Sequence, residues 1–231
     1  MEKKTLNLKM ILTIVFWGSL WGIVEATLGT ILHLPSSKMA GMYLSSSAII
    51  IPIAYCLMAN CYKKTNQSFY AVYLMGVVAA LIKLSVAFVI GFVDVVWEPA
   101  IYIILEALAM GSALAIFRPT NVLSLKTFGS IVVANTVYQF SFLVVKTIKG
   151  SDVFYNMATW SKMGEKYLFT VNGLAMLYTL AIGALSYGII LLVKKLNLST
   201  KFDMNKIVYS PIAASLALMV SIGLTIGLFV I

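Results

Sequence analysis

Apolar residues run in seven long stretches along this chain, at about 10–34, 40–61, 69–92, 98–117, 127–148, 168–193 and 208–231. A helix needs roughly 20 residues to cross a bilayer, and each stretch is near that length. The pattern therefore predicts an all-α membrane protein, a polytopic bundle of six to seven transmembrane helices, seven by this count. Prolines support the boundaries. Pro35 stops the first stretch, Pro99 and Pro211 suit the first turns of the fourth and seventh, and Pro119 follows the end of the fourth. Pro52 lies inside the second and is expected to kink it. The longest connection, 149–167, is too short for a soluble domain, and no repeat or low-complexity tract interrupts the series. The chain reads as one integral membrane domain over 1–231.

The exceptions to this apolar pattern carry the chemistry. Glu25, Lys83 and Glu106 sit deep within three different predicted spans. A charge is costly there, so an ionisable side chain inside a span is a functional hypothesis by default. At about 1.5 Å per residue, Glu25, Lys83, Glu106 and Gln139 each lie roughly 13 to 15 Å from the same end of their spans. Helices running in opposite directions agree this well when their polar groups form one layer. His33, Asp94, Glu98, Trp160 and Asn172 fall on the outer side of that layer, whereas the inner halves are plainer apart from Asn135. The expectation is a cavity opening outward and floored near the midplane.

Composition agrees with the pattern: 61% of residues are hydrophobic and 11% charged, with a mean hydropathy of +0.97. That leaves too little polar surface to coat a soluble globule. The formal charge of +9 reads as topology rather than nucleic-acid binding, because the basic residues lie mostly between apolar runs. Lys3, Lys4, Lys9, Lys63, Lys64, Arg118, Lys126, Lys194, Lys195, Lys201 and Lys206 fall on one side, and Lys38, Lys149, Lys162 and Lys166 on the other. Eleven against four places the amino terminus in the cytoplasm and, with seven spans, the carboxyl terminus outside. A cleaved signal peptide ending near Val24-Glu25-Ala26 is the competing reading. Against it, apolar residues continue to Leu34, and Trp17, Trp21 and the intervening glycines suit packing.

Each polar residue also has a plainer role. Glu25 and Lys83 form an ion pair that fixes helix register in one reading. Glu106 then has no obvious partner, and a lone carboxyl in that layer is either neutral or awaits a cation. Glu98 precedes Pro99 and suits a helix start. Gln139 and Asn135, one turn apart, serve as hydrogen-bonding glue between helices. His33 lies at the membrane edge, Lys146 can snorkel outward, and Trp97, Tyr155, Trp160 and Tyr167 fit an aromatic belt. Cys56 and Cys61 have no His or carboxylate at ligand spacing, so they read as free thiols and no metal or other cofactor is expected.

No nucleotide-binding glycine loop, zinc-protease motif or nucleophile beside a base is present, which argues against an enzyme and places any energy source in an ion gradient or a partner. Gly18, Gly22 and Ala26 repeat at intervals of four and make a smooth ridge, for packing within the bundle or docking on another subunit. With its size, basic balance, outward polar layer and the stretches 17–26 and 98–106, the chain resembles the substrate-binding S component of an energy-coupling factor transporter. It differs from that six-helix pattern by the seventh span. The resemblance implies a bacterial plasma-membrane protein that captures a vitamin-like micronutrient from outside. It also implies that the ridge of Gly18, Gly22 and Ala26 meets a transmembrane coupling subunit powered by cytoplasmic ATPases. A small polar or cationic solute would be held by Glu25, Lys83, Glu106, Gln139 and Asn172 under Trp160. The alternative is a stand-alone proton-coupled carrier in which Glu106 loads and releases a proton.

Overall fold

The computed structural model describes residues 7–33, 46–91, 97–119, 124–148, 172–195 and 204–230. Nearly all of them are helical. Seven long helices coincide with the seven apolar stretches: α1 (Leu8–His33), α2 (Ser46–Lys64), α3 (Phe69–Leu84), α5 (Trp97–Phe117), α6 (Leu125–Ile148), α7 (Asn172–Lys195) and α9 (Pro211–Val230). Two short ones, α4 (Ala87–Ile90) and α8 (Met204–Val208), complete the described set. The protein is an all-α bundle. Pro35 lies outside the described residues.

Local chemistry sets the ends. Asn7 caps α1 through its side-chain oxygen, which accepts from Met10 N–H at 2.9 Å, and Ser124 and Ser210 cap α6 and α9 in the same way. Pro211 opens α9 and Pro99 lies in the first turn of α5, positions where a missing N–H leaves no bond unmade. The helix α2 continues through Pro52. One expected span divides: the stretch 69–92 becomes α3 and α4, because the Ser85 hydroxyl bonds the Ile82 carbonyl at 2.6 Å and draws the backbone into a turn. Gly91, in the left-handed conformation, then ends α4.

The exterior of the bundle is apolar, and a few polar side chains are buried in a mainly apolar core. Phe88, Leu125, Tyr70, Ile116 and Ile212 are exposed, while Glu106, Asn135, Gln139, Ser130 and Ser221 are buried. Lipid is the solvent that makes an apolar exterior favourable. Leu8–Gly29, Phe69–Val89, Trp97–Phe117 and Pro211–Leu228 are each long and apolar enough to cross a membrane. The chain is a membrane protein.

Helix α1 lies at the centre, packed against α9, α3 and α2, and α3 in turn packs on α5, which packs on α6. Small residues bring these axes together. A Cβ on Gly76 of α3 would stand 2.2 Å from the Cβ of Ala107 on α5, and a Cβ on Gly18 of α1 would meet Val78 and the Met75 carbonyl of α3 within 3 Å. Trp21 fills the space beside Gly76, with Met58, Met75 and Met110 around the same core.

The basic residues meet at one end. Lys64, closing α2, bonds the Asn205 side chain of α8, Tyr209 donates to the Lys64 carbonyl, and the Lys9 ammonium lies 5.9 Å from the Tyr209 ring. Three connections of the basic set thus share one face of the bundle.

Candidate functional site

Helices α1, α3, α5 and α6 contribute the polar layer. On α1, Trp21 and Glu25 are one turn apart, and the indole Nε1–H donates to Glu25 Oε1 at 3.0 Å. Trp21 is fully buried, so this donor is held by packing and the carboxyl is aimed by it. On α5, Glu98, Tyr102 and Glu106 recur every four residues and share a face. Tyr102 donates its hydroxyl to Glu98, in the first turn, where the helix dipole also favours a carboxylate.

Glu25 and Glu106 are 81 positions apart in sequence and meet. Their carboxyl groups lie within hydrogen-bonding reach of each other, and Glu106 is also in reach of the Tyr138 hydroxyl of α6. Glu106 is 5% exposed, and its Oε2 has no hydrogen-bond partner. Two bare carboxylates roughly 4 Å apart repel by about 4 kcal/mol at an effective dielectric constant near 20. The contact therefore requires a proton or a cation between the oxygens.

Lys83 lies close enough to Glu25 for their charges to interact. It occupies the last turn of α3, where the helix dipole supports a cation. On α6, Gln139 donates to Asn135 Oδ1 at 3.3 Å, and the buried Asn135 Nδ2 has no partner. The rings of Tyr102 and Tyr138 flank Phe142, with centroids 4.9 Å and 6.4 Å away.

Of the residues singled out in the sequence, Glu25, Glu106 and Lys83 come together, and Gln139 follows the Tyr138 that joins them. Asn172 is the first residue of α7, and its side chain lies outside the described residues, as does all of Trp160. The ridge of α1 is covered within the bundle. Gly18 is closed by α3, Gly22 by Ser221 of α9 and Ile82 of α3, and Ala26 is buried. Trp21, Tyr138 and Gly76 are the residues that the sequence reading missed as parts of the site. The four-residue interval from Trp21 to Glu25 was a usable signal; nothing in the sequence marked Gly76.

Comparison with protein-family models, curated proteins and solved structures gives no match.

Proposed function

We propose that this protein takes up a small polar or cationic solute across a cell membrane, binding it at the carboxyl pair of Glu25 and Glu106. The observation that carries the reading is that pair, seated inside an apolar bundle with one Glu106 oxygen unpartnered. A membrane protein bears the cost of buried acids where they hold a ligand or move a charge. Lys83 offsets one negative charge, and Gln139 supplies a hydrogen bond. The positive-inside bias sets the Glu98 end of α5 outside, and capture proceeds from there.

Mass spectrometry of small molecules copurifying with the protein in detergent identifies the cargo. Binding of that cargo is expected to fall at least tenfold in the Glu25→Gln, Glu106→Gln double variant; unchanged affinity removes both carboxyls from the site.

The energy source divides into two readings. An energy-coupling factor arrangement requires a coupling subunit and ATPases, and that subunit would meet a face other than the Gly18–Gly22 ridge. Closure of the ridge by α3 and α9 favours the second reading, a carrier that works alone on a proton gradient. Uptake by this polypeptide in liposomes under a pH gradient supports the carrier, and strict dependence on added ATPase subunits supports the first.

A further inference from the structure

We infer that Glu25 and Glu106 share one proton in the solute-free protein, and that a singly charged cation replaces that proton, one for one, when it binds. The first half stands on the geometry of the two carboxyls alone; the second rests on the solute-binding reading above.

The argument starts from charge. Among the described residues, the groups acting on the pair are the Lys83 ammonium from α3 and the Tyr138 hydroxyl from α6, while Glu98 is engaged by Tyr102 farther along α5. Helix α9, packed along α1, has no titratable side chain over 211–230, and the lysines of α2 lie at the basic end with Asn205. Among the described residues the local set is therefore two acids and one base, Glu25 and Glu106 with Lys83. With both acids ionised it carries one net negative charge, which an apolar bundle tolerates poorly. One proton on the pair brings the set to neutrality and supplies the donor that two carboxyl groups in contact lack. The protonated group donates to the other, Trp21 Nε1–H holds Glu25 Oε1, and Tyr138 is in reach of Glu106.

A cation with a single charge restores the same neutrality once the proton has gone. The proton passes to water, both carboxylates face the cation, and the free Glu106 Oε2 becomes one of its acceptors. A divalent ion would leave an uncompensated positive charge beside Lys83, and a neutral molecule would displace no proton. The charge balance thus selects a monovalent cation, of which a protonated amine is one.

Infrared spectroscopy of the full chain in detergent reads the proton directly. At neutral pH the solute-free protein is expected to show a protonated carboxyl band that shifts in deuterated water. Glu106→Gln and Glu25→Gln are each expected to abolish this band, because the remaining carboxylate and Lys83 balance without a proton, and Tyr138→Phe displaces it while leaving it present. A solute-free protein without the band overturns the shared proton. A band that survives Glu25→Gln overturns it as well, because Glu106 then holds its proton alone. Methylammonium serves as the cation probe: in excess it bleaches the band, magnesium at equal concentration does not, and methylammonium affinity rises about tenfold per pH unit while one proton is released. Persistence of the band under methylammonium, or affinity independent of pH, overturns the exchange. Absence of transport with an intact, exchangeable band overturns the uptake reading and leaves the proton assignment standing.

Discussion

Glycines on three helices of this bundle lie in two very different settings. On α1 and α3, Gly18, Gly22 and Gly76 are closed in by neighbouring helices, whereas on α9 nothing stands within 4 Å of a Cβ built on Gly223 or Gly227. Both pairs, Gly18 with Gly22 and Gly223 with Gly227, have the four-residue spacing associated with close helix contacts. The contrast shows that the spacing marks a face able to pack closely without saying what packs there. It also ties the closed glycines to function. Gly76 admits both Ala107, the residue after Glu106, and Trp21, which orients Glu25, so the α1–α3–α5 contact brings the two acids together.

The sharpest way to break this contrast is at Gly76. A methyl group there would overlap the Ala107 Cβ, which belongs to the shortest side chain on a packed helix and cannot swing aside. Gly76→Val is expected to lower stability by about 3 kcal/mol, the top of the usual overpacking range, and to abolish solute binding together with folding. Thermal unfolding in detergent checks this, and a variant that keeps its transition temperature would refute the crossing described here.

A finer comparison sets Gly18 against Gly22. Alanine at 18 meets the Val78 Cβ and the Met75 carbonyl, which move only with the backbone of α3. Alanine at 22 meets the Ser221 hydroxyl and the tip of Ile82, both of which can rotate away. Gly18→Ala should therefore cost about 1 to 2 kcal/mol and Gly22→Ala less than about 1. The reverse order in thermal midpoints would mean that α9 holds α1 more rigidly than α3 does.

The sequence reading anticipated most of the helical frame, because a run of about 20 apolar residues has few other solutions. It lost the break between α3 and α4, where hydropathy stays high and a single serine hydroxyl decides the backbone. Depth counting also anticipated that Glu25, Lys83 and Glu106 would approach one another, since all three sit at one level of their helices. Depth does not give azimuth, however. Whether Glu25 turned to Lys83 or to Glu106 depended on Trp21 and on the α3–α5 distance set by Gly76, which is a fact of packing rather than of composition. The same limit explains the ridge of α1. Its smoothness was legible, and its occupants, Val78, Ile82 and Ser221, were known only once the helices were placed.

The smallest expected effect completes the comparison on α9. Ile212, Leu216, Met219 and Val220 are exposed along that helix, and Gly223 and Gly227 are exposed with them. A Cβ at 223 meets nothing within 4 Å and the position is exposed, and leucine favours a helix over glycine by up to about 1 kcal/mol. Gly223→Leu should thus leave the thermal midpoint unchanged or raise it slightly, within about 0.5 kcal/mol, and leave solute binding intact. If instead the variant is destabilised in native membranes but not in detergent, a partner removed by the detergent covers this face. The open glycines of α9 would then be packed like those of α1, and the contrast between the helices would reduce to which chain supplies the neighbour.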